Sequence, residues 1–184
     1  MEMLDIVDED GNPTGKTVDR EIAHQQGILH RTSHVWLLRQ KENQIQILLQ
    51  KRSHQKDSYP GCYDISSAGH IPAGSDFRTS AIRELKEELG YDAKEEELID
   101  CGVRHFEFQD IFHGKFFHDH QVSRIYVLWV DQESDDFVLQ TEEVSEVKWF
   151  DFDDCFDKIK NNLIPHCIYI EELEMVQKQI REEF

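Results

Sequence analysis

Apolar and polar positions change period several times along this chain. "LDIVDEDGNPTGKTV" holds two short runs around a Gly/Asn/Pro turn and predicts a β-hairpin. "DREIAHQQG" predicts a short helix, capped by Asp19 and stopped by Gly27. "HVWLLRQ" and "IQILLQKR" predict strands around the polar turn "KENQ". "DSYPGCYDISSAG" predicts a loop with a turn at Pro60-Gly61 and a short strand near Tyr63 to Ser66. Beyond the loop "HIPAG", Ala81, Ile82, Leu85 and Leu89 fall at helical spacing. They predict a helix capped by Ser75 or Asp76 and ended by Gly90. "CGVRHFEFQ", "QVSRIYVLWV" and "EVKWFDF" predict strands, the first two linked by the His-rich "DIFHGKFFHDH", in which "HGKFFHDH" is either a substrate loop or an exposed hairpin tip. "DDCFDKIKNN" starts a helix, and a C-terminal helix is expected over residues 165–182 with Pro165 at its start. Strands joined by hairpins, with helices interspersed, predict an α/β class with a mixed sheet.

Length changes this picture little: 184 residues suit one domain over 1–184, and no repeat or linker divides them. Charge changes it more. A net charge of -18 repels phosphate backbones, so no nucleic-acid partner is expected. Small anions remain candidate ligands where a metal ion or local basic patch screens that field. "MEMLDIVDED" contains neither a signal peptide nor an apolar span, so a cytoplasmic protein with no membrane partner is expected. Cys62, Cys101, Cys155 and Cys167 form no C-x-x-C pair, which argues against a thiol zinc site and for reduced cysteines. Cys155 and Cys167 are expected to fill core space.

The densest chemistry lies in "GHIPAGSDFRTSAIRELKEELGY", residues 69–91. Glu84, Glu87 and Glu88 stand at i, i+3 and i+4, where like charges repel. Such a cluster is either a solvated helix face or a holder of cations. Magnesium takes oxygen ligands and keeps several waters, so three carboxylates within one helical turn suit it while leaving room for phosphates. A carboxylate not engaged with the ion would act as general base.

The register G-x5-S-x7-R-E-L-K-E-E-L-G-Y resembles the Nudix box, G-x5-E-x7-R-E-U-x-E-E-x-G-U, with U apolar. Gly69, Arg83, Glu84, Leu85, Glu87, Glu88, Gly90 and Tyr91 match it, and Ser75 replaces the first glutamate. The resemblance implies a Nudix fold, an α/β/α sandwich, and Mg2+- or Mn2+-dependent hydrolysis of a small-molecule diphosphate. It implies Glu84, Glu87 and Glu88 as metal ligands, the Gly69 carbonyl as a further contact, and Arg83 as their orienter. A dimer is common among such proteins.

The resemblance reaches further, over roughly residues 4–150. "GILHRTSHVWLL" and "LLQKRSHQKDSYPGCYDISSAGH" look like the branch related to type I isopentenyl-diphosphate isomerase. It implies His24, His30 and His70 as ligands of a metal, with zinc or manganese suited to imidazoles. It aligns Asp119 and Gln121 with the isomerase's glutamate pair, and Ala68 with its catalytic cysteine. Alanine exchanges no proton and Gln121 is no general base, so isomerase chemistry is expected to be disabled. Asp119, His118 or His120 would supply the ligand missing at Gln121. Lys51, Arg52 and Lys56 are candidate diphosphate contacts, Arg52 and Lys56 by the resemblance. Trp36, Tyr59 and Phe108 would stack on a base or lie in the core, with core favoured for Trp36. A hydrolase of a nucleoside diphosphate derivative or related diphosphate stands first. An isomerase-like protein and a non-catalytic diphosphate-binding module remain alternatives.

Overall fold

The computed structural model describes residues 1–184. The N-terminal hairpin is present: β1 (Met3–Val7) pairs antiparallel with β2 (Pro13–Asp19). Helix α1 (Arg20–Gln26) follows, with the Asp19 side chain accepting from the Glu21 N–H and Gly27 closing it in the left-handed region at φ 65°. The main sheet then unfolds from β3 (His30–Lys41), which begins four residues earlier than "HVWLLRQ" implied. Its partner β4 (Gln44–Arg52) returns through Glu42 and Asn43, whose φ values of 50° and 63° make the tight turn that matches strand twist.

Two short strands, β5 (Tyr63–Asp64) and β6 (Ser67–His70), precede helix α2 (Phe77–Leu89). His70 therefore belongs to a strand, not to the "HIPAG" loop. The longest strands are β7 (Ile99–Phe112) and β8 (Lys115–Trp129). The His-rich segment is the far end of this hairpin, paired down to Phe112↔Lys115 around His113-Gly114, in agreement with the hairpin-tip reading. Strand β9 (Val144–Asp151) leads into α3 (Phe152–Lys160), and α4 (Ile170–Glu183) ends the chain. Helix α4 starts at Ile170 rather than Pro165. The intervening residues run beside Tyr63, whose N–H donates to the Pro165 carbonyl.

The seven-stranded sheet runs β5-β4-β3-β8-β7, with β9 on β4 and β6 on β3. It is mixed, because β3 and β8 run parallel while the other pairs are antiparallel. Period-2 alternation fills both faces. Trp36, Leu38, Ile47, Leu49, Ile125 and Val127 pack against α3 and α4. Val35, Leu37, Leu48, Tyr126 and Leu128 pack against Ala81, Leu85 and Leu89 of α2. This is the expected α/β/α sandwich. Trp36 and Cys155 are core residues, whereas Cys167 is only half-buried. No helix is long and apolar enough to cross a membrane.

Strand β3 has two successive neighbours on one side: β6 along residues 32–35 and β4 along residues 38–41. The sheet splits between them. Ser66 closes the split, accepting from the Leu37 N–H and donating to the Leu48 carbonyl.

Of the two candidate caps for α2, Asp76 is the one used: its carboxylate accepts from the Thr79 N–H at 2.9 Å. Ser75 contributes its carbonyl to Arg31 instead. Asp76→Ala is expected to lower stability by about 1 kcal/mol, and Ser75→Ala by less than about 0.5 kcal/mol. Urea denaturation of the two variants checks this.

Candidate active site

An open cleft of about 2010 Å³ is lined by both faces of β6 and by α1, α2, β7 and β8. On β6, side chains alternate across the sheet. Gly69 pairs with Ser33 and turns toward α2, while His70 pairs with Thr32 and turns toward α1 and β8. A Cβ at position 69 would overlap the Glu84 carboxyl, so glycine is what lets that carboxylate sit against the β6 backbone.

The carboxylates of α2 divide by environment. Glu87 is exposed. Glu88 is buried and accepts from the Gln50 amide at 3.1 Å. Burial and then the Glu84 charge push the Glu88 carboxyl up to about 8. Burial also raises Glu84, against the pull of Arg83. Arg83 donates to Glu84 at 2.7 Å, and its Nε lies 3.8 Å from Glu87. Its pairing with the box carboxylates is the expected one, but it spans two of the three.

On the other side of β6, His24, His30 and His70 converge, with candidate ligand nitrogens within 4.8 Å of one another. Asp119 completes the group, its Oδ1 3.5 Å from His24 Nε2 and 3.6 Å from His30 Nε2. Burial holds the His70 imidazole well below its ordinary value and lowers His30, although the Ile28 carbonyl and Asp119 oppose the shift at His30. Both rings are neutral lone-pair donors at neutral pH.

His30 Nε2 and Asp119 Oδ1 are buried and without hydrogen-bond partners. An unpartnered buried pair costs about 1–3 kcal/mol per group, and a shared cation removes that cost. Three imidazoles and a carboxylate fit zinc or manganese, while the carboxylates beside Gly69 fit magnesium or manganese.

Gln121 does not join the cluster as a ligand. Its Nε2 donates to Asp119 Oδ2 at 2.6 Å, leaving Oδ1 turned toward the histidines. Its Oε1 accepts from Thr32 at 3.1 Å. The amide thus orients the carboxylate beside it, as outer ligands of metal sites do. His118 pairs with Glu107, and His120 Nδ1 meets the Gly27 carbonyl at 3.1 Å, so of the three candidate substitutes it is Asp119 that meets the histidines.

The expected basic patch is only partly in the cleft. Lys51 is not: alternation along β4 turns it away from Gln50 and Arg52, and it lies over the Tyr63 ring. Arg52 reaches the cleft but is held by Asp64 at 3.0 Å and by the Ser58 carbonyl. Lys56 pairs with Glu143. Tyr59 and Phe108 line the cleft. Trp36 does not, though its indole N–H donates to Glu172 at 3.1 Å.

His34, Arg104 and Glu172 also line the cleft, and sequence reasoning passed over them. His34 was readable: with the strand begun at His30, period 2 puts residues 30, 32, 34 and 36 on one face. Glu172 sits among the surface-like charges of "IEELEMVQ", where nothing marks it as buried.

Two consequences are measurable. A carboxyl whose folded-state pKa lies above its unfolded value stabilises the fold below the unfolded pKa, and that contribution is lost as pH rises through the folded pKa. For Glu88 the window runs from about 4.3 up to about 8. Metal-free protein is therefore expected to lose on the order of a few kcal/mol across it. In denaturation series with a chelator, Glu88→Gln flattens this loss. Gln121→Glu sets a second carboxylate against Asp119 and is expected to lower the chelated protein's stability by about 1–3 kcal/mol, with added Mn2+ restoring it.

Known proteins resemble this chain in sequence and in fold. The NUDIX domain model matches residues 28–167. An uncharacterized Nudix hydrolase of Clostridium acetobutylicum is 38% identical over 144 residues, covering 78% of this chain and 66% of that protein. Nudix hydrolase 3 of Arabidopsis thaliana is 38% identical over 157 residues, covering 83% of this chain but 20% of that protein. The chain thus spans about two thirds of one relative and a fifth of the other. An isopentenyl-diphosphate Delta-isomerase of Photorhabdus laumondii is 30% identical, covering 80% of this chain and 76% of that protein. Among solved structures, a Deinococcus radiodurans protein superposes with a TM-score of 0.67 at 17% identity, covering 96% of this chain and 98% of that one, a likeness of fold.

Proposed function

Because this chain belongs to the Nudix family, we propose that it is a divalent-cation-dependent hydrolase of a small diphosphate, such as a nucleoside diphosphate derivative. The observation that carries the reading is the double donor set around β6. Glu84 and Glu88 stand beside Gly69, and the imidazoles with Asp119 stand beside His70.

Glu84, Glu87, Glu88 and the Gly69 carbonyl would hold Mg2+ or Mn2+. His24, His30, His70 and Asp119 would hold a second ion. Bound there, such ions supply charge stabilisation for the phosphates and lower the pKa of water. The chain's own residues do the rest. Arg83 fixes the direction of Glu84 and steadies Glu87. A carboxylate of the set that is not engaged with the ion takes a proton from the attacking water. The new bond is water oxygen to phosphorus, and the bond broken joins that phosphorus to the bridging oxygen, which leaves with the second phosphate. Arg52 and Lys56 would exchange Asp64 and Glu143 for substrate phosphate oxygens. Lys51 has no part in this.

The same residues argue against isomerisation of an isopentenyl diphosphate. Ala68 packs as an apolar residue where a proton donor would be needed. Cys167 reaches the cleft, but burial pushes its thiol up and its Sγ donates to the Tyr63 carbonyl. The proposed setting is cytoplasmic, in keeping with four free cysteines.

Incubation with Mg2+ or Mn2+ and a panel of diphosphates tests this, with products read by mass. The panel includes nucleotide sugars, dinucleoside polyphosphates, dinucleotide cofactors and isopentenyl diphosphate. Cleavage at an anhydride bond is expected. Glu87→Gln and Glu88→Gln should each lower kcat by ~10²-fold or more with the fold intact. Full activity in either variant refutes the assignment.

A further inference from the structure

Glu172 is 1% exposed, yet its carboxylate receives three donors. They are His34 Nδ1 at 2.7 Å, Trp36 Nε1 at 3.1 Å and Arg104 at 3.5 Å. One buried negative charge thus anchors a guanidinium and an imidazole on the cleft wall. Burial alone would lower His34, but the charge and the hydrogen bond of Glu172 together offset this, and its pKa is raised.

Arg104 differs from the other arginines of the cleft. Arg20 is paired with Glu2, and Arg52 with Asp64 and Ser58. Arg104 makes only the long 3.5 Å contact to Glu172, although a guanidinium has five N–H donors. It is also held in place, with its centre 5.0 Å from the Phe106 ring and 4.6 Å from the Tyr169 ring. A planar donor fixed by aromatic rings, with most of its N–H groups unused, is preorganised for an oxyanion.

The sheet supplies a ruler. His70 pairs with Thr32, Thr32 with Ser123, and Ser123 with Arg104. Three strand spacings separate the Cα atoms of His70 and Arg104 by ~14 Å. His34 has both ring nitrogens engaged, Nδ1 with Glu172 and Nε2 with the Thr32 hydroxyl at 3.2 Å, so it reports on the wall without offering a donor of its own. Resting on the diphosphate reading of the β6 donor sets, we propose that Arg104, backed by the Glu172–His34 pair, forms an anion subsite for a second charged group of the substrate, a phosphoryl or a carboxylate. That group lies beyond the diphosphate, separated by a spacer that passes over Phe106 and Phe108. The substrate class is then a diphosphate whose distal end is itself anionic.

The test is a titration of the full-length protein in chelator, so that it reads binding and not turnover. The probes are inorganic phosphate and acetate, followed through the ring nitrogens of His34 and the Nε–H of Arg104 by NMR. A saturable shift at both groups is expected, with His118, outside the cleft, unmoved. Arg104→Gln should weaken saturation at His34 at least tenfold, and Arg104→Lys should fall between it and the wild type. Saturation by phosphate alone assigns a phosphoryl group, and equal saturation by acetate assigns a carboxylate. Absence of a saturable shift with either anion overturns the proposal. So does an unchanged curve in a folded Arg104→Gln protein, which would leave Arg104 as mere support for Glu172. If the shift is absent while hydrolysis sensitive to Glu88→Gln persists, the subsite falls and the hydrolase reading stands.

Discussion

The close approach of Gly69 to Glu84 is the contact on which the rest of the site depends. A side chain at this position would displace the Glu84 carboxyl, because its first atom would occupy the same space. With the approach allowed, one four-residue strand carries donors to both faces: Gly69 beside the carboxylates of α2, His70 beside His24 and His30. Alternation along the strand makes that possible, beside a split in the sheet between β4 and β6. Ser66 satisfies backbone groups on both sides of it, so the gap leaves no stranded donor there.

Charge follows from burial. Glu88 and Glu84 are raised by desolvation, His70 and His30 are lowered by it, and all four lie around the same short strand. Desolvation favours the neutral form of each, and a divalent cation reverses that preference for the carboxylates. The unpartnered His30 Nε2 and Asp119 Oδ1 belong to the same pattern. Gln121, which breaks the isomerase pattern, holds Asp119 by one end and Thr32 by the other.

Much of this was legible in the sequence because it is local. The helical stripe of Ala81, Leu85 and Leu89 and the caps Asp19 and Gly27 depend on residues within a few positions of one another. The Nudix register made Gly69 and the three glutamates legible. What was not legible depends on pairing across the sheet. Lys51 and Arg52 look equivalent in the chain, yet alternation along β4 puts one outside the cleft and one inside. Asp119 acquires its meaning only when β8 brings it beside α1 and β3. Glu172 lies on a helix that meets His34 and Arg104 across long sequence separations, and no local pattern marks that meeting. The His-rich run links two predicted strands in the sequence, and a substrate loop and a hairpin tip fit it equally well there. Pairing with β7 makes it strand.

The central claim is that β6 stands between two cation sites. Anomalous diffraction from crystals soaked in Mn2+ tests it most directly. The account predicts two peaks on opposite sides of the Gly69-His70 backbone, one among His24, His30, His70 and Asp119, the other against Glu84 and Glu88. Manganese bound elsewhere, with neither position occupied, would contradict it.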